Sequence, residues 1–244
     1  GMNRSAAGDE VRDFFDRQHE SHDYESLKSM TRELDMAAAR LLEARVSGEC
    51  LSIGGIWDFF TWEDRLTSLT VLDLSEEMLK EYCPDGARRV VGDFYETSFE
   101  KGSFDSVVFT LMLHHTPRGN WRECQSRVEQ AVERGREWLR PDGRLFILEY
   151  CPHPSVVWAE QALLPVTRRF LARFGQPLVV MYSRTFYERT LEHNFGTCVA
   201  TEIHPAGFNY WKWYPIFMSI RWLRVPLVVY PRLHVFEAVL KTGG

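Results

Sequence analysis

Four short stretches hold residues whose types suit a nucleoside site. Gly54-Gly55 closes ECLSIGG, Asp73 ends LTVLD, Gly92-Asp93-Phe94 follows ARRVV, and Leu113-His114-His115-Thr116 follows FDSVVFTLM. Glycine lets a backbone approach a ligand closely, and a helix that starts just beyond it offers N–H groups to an anion; a tight strand-to-helix turn without a ligand explains Gly54-Gly55 equally well. Asp73 stands nineteen positions after Gly54. An acid at that distance from a glycine turn is placed to accept hydrogen bonds from both hydroxyls of a ribose, although it could instead belong to the cap of the helix that Ser75 opens. A carboxylate at Asp93 can accept from an exocyclic adenine amino group while the adjacent N–H satisfies a ring nitrogen and Leu74 packs on the ring face; the plain alternative is an Asp turn.

These residues need strand ends to hold them. The apolar runs at 49–55, 69–75, 87–93, 104–113 and 143–150 alternate with helical segments, which predicts a parallel sheet flanked by helices. The runs are apolar on both faces, as in a sheet covered on both sides. A ligand on such a sheet sits beyond the C-terminal strand ends, and all four stretches lie there. Residues 9–47 read as two helices, 155–175 as a long helical insert, and 197–207 and 232–241 as two closing strands. Gly1, ahead of Met2, reads as a tag remnant and is set aside.

Composition narrows the partners. A chain of 244 residues with 45% hydrophobic content can bury one substantial core. The formal charge of −5 and dispersed Lys and Arg argue against a nucleic acid partner. Residues 214–231 are apolar enough to suggest a membrane span, but Arg221, Arg224 and three prolines exclude insertion. Cysteines at 50, 83, 124, 151 and 198 form no paired or metal-type spacing, which fits a reducing cytoplasm. No metal constellation is present either: His19 and His22 read as a solvated helix end.

Taken together, VRDFFDR, CLSIGG, VLDLSEEML, VVGDFYETSFEKGSFDSVVFTLMLHH and WLRPDGRLFILEY resemble a class I S-adenosylmethionine-dependent methyltransferase of the small-molecule branch, over roughly residues 11–150. The resemblance implies an α/β, Rossmann-like fold. Its mostly parallel seven-stranded sheet would be flanked by helices, with N-terminal helices and a helical, aromatic cover. It divides the chain into a helical cap at 2–48, a cofactor-binding core at 49–150, and a remainder at 151–244 with helical cover insertions at 155–182 and 208–231. It implies S-adenosylmethionine as cofactor and S-adenosylhomocysteine as product. Gly54 and Gly55 would neighbour the methionine moiety, Asp73 would hold the ribose, and Leu74 and Met78 would wall the adenine pocket. Asp93 and Phe94 would hold the adenine edge, and Thr110 and Leu111 would lie under the sulfonium. The chain departs from the family's first motif: Ser52 stands at the acid, and Ile56 and Asp58 at the later glycines.

The activated methyl group asks mainly for alignment of the acceptor in line with its bond to sulfur. A base is needed when the acceptor must lose a proton. His115, then His114, are the catalytic candidates, with Glu149, Tyr150 and His153 behind them; a packing or turn role suits each histidine as well. The cover segments supply Trp158, Phe170, Tyr182, Trp211, Trp213 and Trp222. They suit a pocket for a small, apolar or aromatic acceptor, or a homodimer face. A methyltransferase-like binding or scaffold protein without turnover is the alternative that the altered first motif raises.

Overall fold

The computed structural model describes residues 11–13, 16, 23–55, 65–117, 119–173, 178–217 and 220–241. Five described helices are α1 (Asp23–Glu43), α2 (Glu76–Tyr82), α3 (Trp121–Trp138), α4 (Pro154–Arg173) and α5 (Arg184–Phe195). The strands are β1 (Gly48–Ile53), β2 (Leu66–Asp73), β3 (Arg88–Val91), β4 (Phe104–Thr110), β5 (Leu139–Cys151), β6 (Val199–Glu202), β7 (Trp213–Phe217), β8 (Ile220–Pro226) and β9 (Arg232–Val239).

Seven strands form one sheet in the order β3-β2-β1-β4-β5-β9-β6. The first five run parallel, and β9 lies antiparallel between β5 and β6. The central strands are buried on both faces, as their unbroken apolar runs require. On one face Phe109, Leu145, Ile147 and Phe236 pack with Val128 and Val132 of α3 and Leu191 of α5. On the other, Val71, Val108, Phe146 and Val235 pack with Ala38, Ala39 and Leu42 of α1. The fold is thus the mostly parallel, helix-flanked sheet that the sequence predicts. Edge strand β3 is short and exposes Arg88, Arg89 and Val91.

Local signals set the helix starts. Ser75 Oγ accepts from Met78 N–H and Glu76 and Glu77 fill the first turn of α2, while Asn120 and Ser183 cap α3 and α5 in the same way. In α3, Gly135 has no side chain because the sheet leaves no room: a Cβ there would lie 2.8 Å from Leu145 Cδ1 and 3.0 Å from Phe109 Cε2.

The cover departs from expectation. Residues 213–217 and 220–226 are not helical; as β7 and β8 they form a two-stranded antiparallel ribbon. Prolines at 215 and 226 and a run of aromatic and β-branched residues oppose a helix and suit strands. In the 155–182 segment, residues 155–173 are helical and residues 178–182 are not. His19, His22, Ile56 and Asp58 lie outside the described residues. No helix among the described residues is long and apolar enough to cross a membrane.

The contact of α3 with the sheet yields a stability test. Gly135→Val should destabilise the protein by about 1–3 kcal/mol through overpacking, read as a lower urea midpoint at unchanged slope. A midpoint equal to wild type would mean that α3 does not press on Phe109 and Leu145.

Candidate active site

The winding of the sheet reverses between β1 and β4, and in such sheets the ligand crevice opens beyond the strand ends at that reversal. Gly54 ends β1 there with φ +70. A Cβ on it would lie 2.5 Å from the Thr110 carbonyl oxygen and 3.0 Å from Met112 Cβ. Only glycine serves at this place, both for its left-handed conformation and for the closeness of β4. Gly55 follows, half-buried, and residues 56–64 lie outside the described residues.

The two carboxylates sit at the tips of adjacent strands. Asp73 Oδ1 accepts from Ser75 N–H at 2.9 Å, and burial pushes its pKa up to about 6, with Asp16 adding repulsion against the help of the Ser75 and Leu74 amides. Ser75 Oγ in turn donates to Asp16 Oδ1 at 2.6 Å, so a helical residue of the N-terminal segment reaches the same turn. Asp93 Oδ1 accepts from Tyr95 N–H at 2.7 Å, the Asp turn that its sequence allowed. Leu74 is partly exposed, while Met78 is buried behind the Ser75 cap. The Phe94 ring is buried in the core, edge-on to Phe109 and Trp138 at 5.2 and 5.3 Å. Only its backbone is left to meet a ligand at this edge.

Beyond β4 the chain is strained and then anchored. Thr110 is buried and its Oγ1 makes no hydrogen bond. Leu111 adopts φ +50, a conformation costly for a branched side chain, and its N–H donates to Leu148 O at 2.9 Å. A 3-10 turn over Leu113–His115 follows. Glu149, near the end of β5 and fully buried, accepts from Leu113 N–H at 2.7 Å and pairs with His114 Nδ1 at 2.6 Å. A carboxylate so placed favours the tautomer with the proton on Nδ1 and leaves Nε2 as an acceptor. His115 lies beside it, with ring centroids 4.1 Å apart and ring planes tilted by 46°. Burial and the neighbouring His114 hold its pKa well below the usual imidazole range. The buried carboxylate partner therefore belongs to His114, the second of the two expected candidates.

Alternation along β5 separates the other candidates. Tyr150 turns to the opposite face, edge-on to Tyr230 at 5.7 Å, and His153 is exposed, where it bonds Ser155 at the start of α4. The sequence did not single out Glu160. It projects from α4 toward His114, accepts from Met181 N–H at 3.3 Å, and burial raises its pKa to about 7. The Tyr182 hydroxyl is buried without a hydrogen bond and shares this neighbourhood with Glu149 and Glu160. Arg168 of α4 donates to the Gly119 carbonyl and ties the cover helix to the start of α3. Trp158, Trp211, Trp213 and Trp222, expected in the cover, all lie exposed.

Residues 52–147 match the family described as "Methyltransferase domain". The ubiquinone/menaquinone biosynthesis C-methyltransferase of Paracoccus denitrificans (strain Pd 1222) is 27% identical over 190 residues, covering 68% of either chain. Among solved structures, DhpI in its SAH complex aligns with TM-score 0.61 at 15% identity, covering 95% of this chain and 96% of that one. The 1,6-didemethyltoxoflavin-N1-methyltransferase of Burkholderia thailandensis aligns with TM-score 0.57 at 15% identity, covering 99% and 93%. At such identity the structural likeness is one of fold.

The raised pKa of Asp73 has a signed consequence for stability. The folded protein holds this proton to about pH 6, whereas the unfolded chain releases it near 3.8. Stability is therefore lost as pH rises between those values. Asp73→Asn removes the charge and should stabilise the ligand-free protein at pH 8 by on the order of 1–3 kcal/mol, with the gain vanishing at pH 4. Urea melts across that range measure it; a gain that does not change with pH would show that Asp73 titrates normally.

Proposed function

The chain carries a class I S-adenosylmethionine-dependent methyltransferase domain, and from that premise we propose that it methylates a small apolar or aromatic acceptor, with His114 taking the acceptor's proton. The observation that carries this reading is the buried His114–Glu149 pair beside the sheet's reversal point. When bound, the cofactor supplies a methyl group already activated by its sulfonium. The protein's remaining tasks are to align the acceptor, exclude water and receive a proton.

Several features of the site suit the cofactor. In this reading Asp73 accepts from the ribose hydroxyls, and Asp93 and the Phe94 amide hold the adenine edge. Leu74 and Met78 flank the ring, Gly54 and Gly55 adjoin the methionine moiety, and Thr110 and Leu111 lie under the reacting centre. The buried Thr110 hydroxyl without a partner and the position of Asp73 at the tip of β2, beside the reversal, support it. His114 then accepts the proton at Nε2 while Nδ1–H donates to Glu149, which holds the ring in one orientation. His115, kept neutral by burial, packs beside the base. Glu160 and Tyr182 supply polar groups at the acceptor end. The Paracoccus relative is named for C-methylation and the Burkholderia neighbour for N-methylation; an acceptor with a C–H, N–H or O–H bond releases a proton in either chemistry.

The second reading, a binding or scaffold protein without turnover, draws on Ser52. Its hydroxyl is buried in β1 without a partner where the family carries an acid.

Calorimetry with S-adenosylmethionine and S-adenosylhomocysteine separates the two. Micromolar binding, near about −8 kcal/mol, is expected, and Asp73→Ala should weaken it by about 1.5–3 kcal/mol. In a screen of phenolic and aromatic-amine acceptors, His114→Asn and Glu149→Gln should each lower kcat by about 10²–10⁴ with S-adenosylhomocysteine affinity retained. Cofactor binding without turnover on any acceptor would favour the scaffold. Turnover unaffected by both substitutions would remove His114 from the reaction.

A further inference from the structure

The β7–β8 ribbon turns one face away from the protein. Its register sets Trp213 opposite Pro226 and Pro215 opposite Arg224, so by strand alternation Trp213, Trp222 and Arg224 share that face. The other face is anchored: Tyr214 packs edge-on to Tyr230 at 5.0 Å, and Tyr230 on Tyr150. Trp222 is 82% exposed, Trp213 59%, and Trp211, just before the ribbon, 71%. Three large indole surfaces thus face water close together, an arrangement that marks an interaction site.

The charge around them identifies the partner. Residues 203–236 contain Lys212, Arg221, Arg224 and Arg232 and no Asp or Glu, in a chain whose net charge is −5. Lys212 reaches Glu33 at 3.8 Å and Arg232 reaches Glu202 at the same distance, yet both stay more than a third exposed. A second copy meeting this face through a two-fold axis would oppose basic patch to basic patch. Indoles interleaved with cationic side chains suit the headgroup layer of an anionic bilayer, where the ring sits at the interface and the cation meets phosphate.

We propose that the outer face of the β7–β8 ribbon docks the protein on an anionic phospholipid surface. The protein lies on the bilayer and does not cross it. Tyr150, which backs the anchoring tyrosines, is adjacent in sequence to Glu149, so the docked ribbon sits at the site's end of the sheet, on the face opposite the His114–Glu149 pair. The docking does not rest on the catalytic reading.

The test is co-sedimentation of the full chain with vesicles of phosphatidylcholine, with and without phosphatidylglycerol. Binding is expected only with phosphatidylglycerol, with a blue shift of tryptophan emission and release at high salt. Trp213→Ala/Trp222→Ala should lower the partition constant by at least roughly tenfold, and Arg224→Glu should lower it as well. Both variants should bind S-adenosylhomocysteine as wild type does, which separates failure of docking from failure of the catalytic reading. Absence of binding to anionic vesicles, or equal binding by the double variant, overturns the proposal. So does a dimer in light scattering that the double variant abolishes without any vesicle binding, which would give the face to a second copy.

Discussion

A carboxylate fully removed from water cannot stand alone in a protein interior, and much of the site follows from how Glu149 meets that requirement. It lies near the end of β5, and its two oxygens take the Leu113 amide and His114 Nδ1 from the turn beyond β4. One side chain therefore joins two neighbouring strand ends and fixes an imidazole between them. The strained Leu111, just upstream, is held by its own bond to Leu148. These contacts over-determine a turn that the local sequence would not adopt unaided, which is the condition under which backbone strain persists.

The opposite half of the crevice works on another principle. Asp73 and Asp93 sit where strand ends and helix caps already supply amide donors, so little further structure is needed to hold them. Asp73 carries a cost that comes chiefly from burial, to which Asp16, bonded to the same Ser75, adds like charge. A ligand that donates hydrogen bonds to this carboxylate relieves part of that repulsion. Binding and the N-terminal segment are thereby linked through one serine hydroxyl.

The sheet was legible in the sequence because β1, β2, β4 and β5 are apolar on both faces, and no other common element demands that pattern over so few residues. The carboxylates were legible because their positions depend on strand ends and spacing, both local properties. The choice between His114 and His115 was not, since it turns on a residue 35 positions away. Glu160 was hidden for the same reason: only the packing of α4 brings it toward His114. The apolar, aromatic run at 208–231 shows neither period cleanly, so its ribbon could not be told from a helix; Pro215 and Pro226 were the local signals that weighed against one. The direction of the Phe94 ring was not legible either: backbone direction after the Asp93 turn sends it into the core and leaves its amide at the edge.

Both borders of the sheet are only four residues long, β3 on one side and β6 on the other. A row of unsatisfied amides and carbonyls is an invitation for a foreign strand to add itself. Brevity limits that row, and Arg88 and Arg89 on β3 make stacking of a second identical border repulsive. Because β3 also flanks the tips that carry Asp73 and Asp93, the same brief, doubly cationic border that discourages fibre-like association adjoins the candidate crevice.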